Sequence, residues 1–212
     1  MIQAHLDLRP VFLAVRCQGN RPTCLAFATS AANENFASVD EHLSVEYLYF
    51  HAVSRTPGAS PHAGTTMEAA AEALLDEGQP VEDHWPYLDS IPINWTPPAL
   101  TAEPFRGALR VGRLSFDEII AELDAERPVV LGMLITDAFY VPDPEGRVVG
   151  SAGDIVRGGH ALLAIGHGTD RESRFLLVRN SWGVAWGSNG HAWLGQDYVE
   201  HHLHQTAEIV TR

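Results

Sequence analysis

The apolar residues of this 212-residue chain change their spacing about halfway along it. In the first half they recur at helical intervals, which predicts helices over about 23–39, 44–53 and 67–78. Beyond a proline-rich connector that ends near residue 104, they form short runs rich in Val, Leu and Ile, which predict strands. Helices followed by strands are typical of an α+β protein with two packed lobes, not of alternating βαβ units.

The second half is expected to begin with a helix over 115–125. Its strands are predicted over 128–136, 161–167, 174–179 and 190–194. The segment 137–159 carries Gly and Pro and is expected to form surface loops. We therefore expect one domain over 1–212, with a ligand cleft between its lobes. The helical lobe would take about 12–104, and the β lobe about 105–212 plus the N-terminal segment.

Charge excludes several classes of partner. The 14 basic residues, all arginine, stand against 27 Asp and Glu, for a net charge of −13. Such a surface repels phosphate backbones and anionic headgroups, so we expect no nucleic-acid or membrane partner. The longest apolar runs are too short to span a bilayer, and no signal-like segment opens the chain. The absence of lysine beside many Ala, Gly and Arg residues predicts a bacterial protein.

Two cysteines cannot make a disulfide framework, and zinc-binding spacing is absent, so we expect a reducing, cytoplasmic location and no metal. Cys17 is interpreted as a buried structural thiol. His201, His202 and His204 are interpreted as a solvated helix end, because the cluster has no spaced partners for a metal site.

Cys24 is the candidate nucleophile. It opens the first predicted helix, where the helix dipole lowers the pKa of a thiol, and the Gln18 amide six residues earlier can donate to an oxyanion. His160 follows two glycines at a strand start, and Asn180 is placed to fix its second ring nitrogen. Each residue also has a purely structural interpretation, as core packing or as a turn residue. The order Gln, Cys, His, Asn favours the catalytic one.

The segments around these residues resemble the papain family of cysteine peptidases. Gln18-Gly19 followed by Cys24 is similar to the family's nucleophile segment, and Gly158-Gly159-His160-Ala161 to its histidine segment. The run NSWGVAWGSNG from Asn180 resembles the asparagine segment almost letter for letter. His160 and Asn180 follow Cys24 at close to the roughly 130–150 residues typical of the family. The resemblance covers about residues 6–200.

The resemblance implies a helical lobe packed against an antiparallel, β-barrel-like lobe, with the active-site cleft between them. It implies an endopeptidase without cofactor, acting on peptide or protein substrates through a Cys24–His160 thiolate–imidazolium pair. Gln18 and the Cys24 backbone N–H would bind the oxyanion, and Asn180 would orient the ring. The implied substrate-binding residues are Gly64, Thr65, Met67, Gly132, Gly159, Ala161 and Trp182.

Three of those residues, Met67, Gly132 and Ala161, would line the pocket for the second residue before the scissile bond. Their apolar walls favour a hydrophobic side chain there, although Met67 has the structural alternative of packing the third helix.

The chain also departs from the family pattern. Pro22-Thr23 precede the nucleophile and Leu25 follows it, where the family usually has Gly-Ser and Trp. Arg21 stands where the family has a disulfide cysteine. We expect no propeptide, so a regulatory protein or a larger parent chain is the alternative restraint on activity. Two further functions stay open: an inactive peptide-binding pseudoprotease, and an acyl transferase or ligase that passes the acyl group to an amine.

Overall fold

The computed structural model of this protein describes residues 1–58, 60–150 and 154–211. Three helices lie in the first half: α1 Cys24–Ala37, α2 Val45–Arg55 and α3 Met67–Asp76. Three shorter ones follow: α4 Phe116–Asp124, α5 Asp137–Tyr140 and α6 Gln196–His202. The eight strands are β1 Gln3–Asp7, β2 Ala108–Gly112, β3 Val129–Thr136, β4 Arg147–Val148, β5 Val156–Asp170, β6 Ser173–Arg179, β7 His191–Gly195 and β8 Leu203–Val210.

Side-chain caps explain where α2 and α3 begin. Ser44 Oγ accepts the backbone N–H of Tyr47 at the start of α2, and Thr66 Oγ1 accepts that of Ala69 at the start of α3. Thr66 is therefore the N-cap of α3. Each cap satisfies a donor that the first helical turn would otherwise leave unpaired.

The strands form one sheet in the order β2-β8-β3-β5-β6-β7-β4, with β1 paired to the second half of β5. Neighbouring strands are antiparallel except β4 and β7. The α+β, papain-like architecture is confirmed. The barrel-like sheet stays open across the described residues, because its end strands β2 and β4 are not paired with each other.

The long strand β5 separates two apolar cores. Ala161, Leu163 and Ile165 pack into a core shared with α1, α2 and α3. The alternate residues Leu162 and Ala164 pack into the other core, with α4 and α6. Alternation on a strand sends neighbouring side chains to opposite faces. His160, the residue before Ala161, therefore lies on the face of Leu162 and Ala164, where its ring contacts Phe139 of the second core.

The segment 137–159 was wrongly predicted as surface loops. It contains α5, β4 and the start of β5, and its Phe139 and Val148 are buried. Glycine and proline mark the turns there but do not prevent short elements between them. The strands β1, β2 and β8 were not predicted, and β5 is longer than the predicted 161–167. Among the described residues, no helix has the length and apolarity needed to cross a bilayer.

Candidate active site

One cleft of about 640 Å³ collects most of the side chains singled out from the sequence. Cys24 enters it from the N-terminus of α1, and His160 from β5. The cleft runs between the start of α1, the Gly64–Met67 segment and the adjacent strands β3 and β5. The first residue of one helix and one residue of a central strand thus line the same cleft.

The Cys24 sulfur lies among backbone donors. Hydrogen bonding with the N–H groups of Ala161, Leu25 and Cys24 itself lowers the pKa of the thiol, but burial raises it more, and the net direction is upward. The position at the first turn of α1 agrees with the prediction from the sequence. A thiolate formed here would be held by these N–H groups and by the helix dipole.

The imidazole of His160 is oriented by Asn180. Its Nε2 lies 2.8 Å from Asn180 Oδ1, which leaves Nδ1 as the nitrogen available for other partners. Burial lowers the pKa of His160 to about 4, although the hydrogen bond with Asn180 raises it. Trp182 covers the ring, with centroids 4.8 Å apart, and Phe139 packs edge-on at 5.7 Å.

Cys24 and His160 have no mutual hydrogen bond among the contacts of the described residues. Burial favours the neutral form of each group, a thiol and an uncharged imidazole. Contacts between catalytic groups often tighten only when substrate is bound. The thiolate–imidazolium pair therefore stays a prediction, which depends on closer approach of the two side chains.

Both polar atoms of the Gln18 carboxamide form hydrogen bonds. Its Nε2 donates to the backbone oxygen of Arg21 at 2.7 Å, and its Oε1 accepts from Ser181 Oγ at 2.6 Å. Its backbone N–H also donates to the Ser181 oxygen at 2.8 Å. A primary amide carries two N–H donors, so one remains available after the bond to Arg21.

The residues expected to bind substrate line the same cleft, apart from Trp182. They are Gly64, Thr65, Met67, Gly132, Gly159 and Ala161. Gly132 and Ala161 are directly paired between β3 and β5. Met67 is buried in the core of the helical lobe and also lines the cleft, so its two interpretations do not exclude each other.

Several residues of the site were not singled out from the sequence. Ser181 joins Gln18 to the Asn180 segment, and it could have been chosen because it lies inside the NSWG motif. Tyr87 donates from its hydroxyl to the Gln18 backbone oxygen at 2.8 Å. The cleft is also lined by Glu68 and Gln205, which are hydrogen-bonded to each other, and by His204. No local sequence pattern predicts that these last three residues line the cleft. Strand β8 brings two of them, His204 and Gln205, to this position.

Two interpretations of side chains near the site were wrong. Cys17 is an exposed free thiol and not a buried one, because its backbone pairs with Trp182 and its side chain rests on the surface against Gly183. His202 is buried, whereas a solvated position was expected. It closes α6 on the side that packs into the β lobe and contacts the Tyr198 ring at 4.6 Å. Within the described residues, no group of three or more His, Cys, Asp or Glu is arranged to hold a metal ion.

This chain is similar in sequence to known proteins over most of its length. The family model described as "Papain family cysteine protease" matches residues 2–211. A cathepsin L-like proteinase of Fasciola hepatica is 27% identical over 179 residues, which cover 84% of this chain and 55% of that protein. A cysteine protease of Blomia tropicalis is 24% identical over 190 residues, which cover 85% and 56%. The chain thus spans about half the length of these relatives.

Solved structures share the fold. Xylellain, a cysteine protease from Xylella fastidiosa, superimposes with a TM-score of 0.85 at 22% identity, over 100% of this chain and 87% of that one. A cysteine protease of Carica candamarcensis, solved in complex with E-64, gives a TM-score of 0.71 at 21% identity over 98% of both chains. With the match over residues 2–211, the chain belongs to the papain family of cysteine proteases.

Proposed function

We propose that this protein is a cysteine endopeptidase that uses Cys24, His160, Asn180 and Gln18 as its catalytic set. The observation that carries the proposal is the 2.8 Å contact between His160 Nε2 and Asn180 Oδ1, at the edge of a cleft that also holds Cys24. It leaves Nδ1 of the ring for exchange of a proton with the thiol. A histidine fixed at one nitrogen beside a thiol is the arrangement that nucleophilic catalysis by cysteine requires.

In the proposed reaction, His160 takes the thiol proton as Cys24 Sγ attacks the peptide carbonyl. The oxyanion forms opposite the free N–H of Gln18 and the backbone N–H of Cys24. His160 then gives its proton to the leaving amine, and the C–N bond breaks. Water attacks the resulting thioester with His160 as base, which releases the acid and restores the thiol.

The acyl side of the substrate would lie against the apolar part of the cleft. Met67, Gly132 and Ala161 form its floor, so we expect a hydrophobic side chain at the second residue before the scissile bond. The polar side chains of Glu68, Gln205 and His204 also line this cleft. A long side chain that reaches them would meet polar partners and not an apolar wall.

The leaving-group side would extend over Trp182. His160 protonates the leaving amine, so that half of the substrate lies beside the imidazole and the indole that covers it. Tyr140 stacks on Trp182 with centroids 5.3 Å apart and an interplanar angle of 28°, and it is 48% exposed. The two rings form an apolar shelf, which favours an aromatic or aliphatic residue just after the scissile bond.

The pseudoprotease and the transferase remain the alternatives. A peptide-binding scaffold has no need of a histidine held by an asparagine beside a thiol, and this argues against the first. A transferase would use the same residues, so geometry alone favours neither hydrolysis nor transfer. The two free thiols support a proposal that the protein works in a reducing compartment such as a bacterial cytoplasm.

The test uses Cys24→Ala, with Cys17→Ala as its matched control, on a peptide blocked at both ends. We expect Cys24→Ala to lose all turnover at unchanged thermal stability, and Cys17→Ala to retain it. A thiol-directed epoxide should label Cys24 in the parent protein. Cleavage by Cys24→Ala would contradict the assignment, and absence of turnover in the parent would favour the pseudoprotease. Product masses with and without an added amine distinguish transfer from hydrolysis.

A further inference from the structure

Arg21 and Glu46 form an ion pair that is almost entirely removed from solvent. Arg21 Nη1 and Nη2 lie 2.6 and 2.9 Å from the two oxygens of Glu46, so the contact is bidentate. Arg21 is 6% exposed and Glu46 is 0% exposed. Arg21 lies in the nucleophile segment, residues 17–23, and Glu46 lies in the first turn of α2. The pair thus ties that segment to the second helix of the helical lobe.

Further hydrogen bonds complete the network around this pair. Glu46 also accepts the backbone N–H of Leu88 at 3.1 Å and the indole N–H of Trp95 at 2.6 Å. Arg21 Nη1 donates to the Leu88 oxygen at 2.6 Å, and its guanidinium lies over the Tyr87 ring at 4.9 Å. Each carboxylate oxygen therefore has two donors. The carboxylate is thus fully satisfied, whereas Arg21 Nε is buried without a hydrogen-bond partner among the described residues. The bidentate contact gives the pair a fixed geometry, and removing one partner leaves a buried charge without compensation.

The network reaches the proposed oxyanion donor through the backbone of Arg21. Gln18 Nε2 donates to the Arg21 oxygen at 2.7 Å. Tyr87, whose ring lies against the guanidinium, donates to the Gln18 oxygen at 2.8 Å and contacts Thr23 Oγ1 at 2.7 Å. The same Arg21 oxygen also accepts the backbone N–H of Thr23 at 2.9 Å. Arg21 therefore links the buried ion pair, through its side chain, to one N–H of the Gln18 amide, through its carbonyl. The other N–H of that amide is the one that would meet the oxyanion.

We propose that Arg21 is a positioning residue, whose buried ion pair with Glu46 holds the Gln18 amide in the direction that oxyanion binding requires. The inference rests on the proposed function and assigns a role to a residue outside the catalytic set. A small error in the direction of an oxyanion donor has a large effect, because such donors act through a fixed geometry.

Three reactions separate positioning of the oxyanion donor from general support of the fold. Peptide hydrolysis needs both the thiolate and the oxyanion site. A peptide aldehyde forms a hemithioacetal with Cys24 and also uses the oxyanion site. Alkylation by iodoacetamide displaces iodide at carbon, forms no oxyanion, and needs only the thiolate. A residue that acts through Gln18 should affect the first two reactions and not the third.

The variants are Arg21→Met, Arg21→Lys and the isosteric Glu46→Gln. We expect kcat for the peptide to fall about ten- to a hundredfold in Arg21→Met, with KM and the alkylation rate within about twofold of the parent. Inhibition by the aldehyde should weaken by a factor similar to the loss of kcat. Arg21→Lys keeps the charge but loses the bidentate contact, so it should recover only part of the activity.

The control is Arg55→Lys, which alters the Arg55–Glu77 ion pair elsewhere in the same lobe, with N–O 2.6 Å. We expect its activity to match the parent. Arg21→Met is then combined with Gln18→Ala, and the double variant should be no worse than Gln18→Ala alone, because both changes remove one function.

Additive losses, or equal losses in hydrolysis and alkylation, would overturn the inference. If Arg21→Met fails to fold, the same three reactions with Glu46→Gln decide the question. Absence of peptide hydrolysis in the parent would instead count against the proposed function, so the two failures are distinguishable.

Discussion

The carboxamide oxygen of Asn180 accepts two hydrogen bonds, from His160 Nε2 and from the backbone N–H of Ser181, each at 2.8 Å. The second bond fixes the carboxamide, and the first then fixes the plane of the imidazole. An oxygen held in this way acts as an acceptor, which sets the tautomer of the neutral ring with its proton on Nε2. One asparagine thus determines which histidine nitrogen faces the cleft.

We therefore expect Asn180→Ala to lower kcat/KM by about tenfold or more, since one hydrogen bond to a catalytic group is lost. The hydrogen bond with Asn180 raises the pKa of His160, so its removal lowers that pKa. The leaving amine needs a protonated ring, and the alkaline limb of the pH profile should move to lower pH. Asn94→Ala, at an exposed asparagine, is the control. An unchanged pH profile with Asn180→Ala would contradict the orienting role.

A substitution of Tyr140 tests the proposed binding of the leaving-group side of the substrate. If the Tyr140–Trp182 shelf binds the leaving-group side, Tyr140→Ala should lower kcat/KM about three- to tenfold for a peptide with Phe after the scissile bond. A substrate with the same acyl half and a small amide leaving group should be unaffected, and Tyr140→Phe should behave like the parent. Equal losses on both substrates would show that Tyr140 acts elsewhere.

Among the structural elements, β5 does the most to bring the site together. It carries His160, pairs with β3 at the cleft, and pairs with β1 farther along. Close contact with β1 requires glycine in β5: a Cβ on Gly166 would lie 2.4 Å from the Leu6 backbone oxygen. The β1 backbone lies too close to position 166 for a side chain to fit there. Glycine at this position is therefore required for β1 to pair with β5.

Gly166→Ala is expected to destabilise the protein by about 1–3 kcal/mol, as overpacking does, and to weaken the β1–β5 pairing locally. Urea unfolding measures the first effect, and hydrogen exchange of residues 3–7 the second. Gly112→Ala is the matched control, because a Cβ at Gly112 meets nothing within 4 Å. Equal behaviour of the two variants would contradict this account.

The helices and strands also show which elements local sequence patterns predict and which they do not. The helices α1, α2 and α3 were predicted because apolar residues recur along them at helical spacing, and α2 and α3 also begin at local side-chain caps. Strand β8 was not predicted, because its sequence LHQTAEIV mixes polar and apolar residues. Its Glu208 is nevertheless buried and paired with Arg110 of β2. A buried charge becomes compatible with a strand only when a partner distant in sequence is present, and local patterns do not contain that partner.

At the scale of the whole molecule, several histidines are buried in uncharged form. Burial lowers the pKa of His160 and of His191 to about 4, and lowers the pKa of His51 and His202 as well. Near His191 the Arg179 guanidinium acts in the same direction. In the unfolded chain these rings titrate near 6.5. Between pH 6.5 and about 4 the unfolded state therefore binds more protons, so stability falls as the pH falls.

The free energy of unfolding should accordingly be lower at pH 5 than at pH 7. Each such histidine contributes at most about 1.4 kcal/mol per pH unit. His191→Gln should flatten this dependence by up to that amount. Urea unfolding at the two pH values is the measurement. The same slope in His191→Gln as in the parent would show that His191 is not responsible.

The sequence by itself determined the α+β class, the main helices and the identity of the four proposed catalytic residues. Helical spacing, caps and the segments around Gln18, Cys24, His160 and Asn180 are all local features. The tertiary structure decided the exposure of Cys17, the burial of His202, the contact between Arg21 and Glu46, and the open edges of the sheet. Each of these depends on which distant residues meet, and chain neighbours carry no information about that.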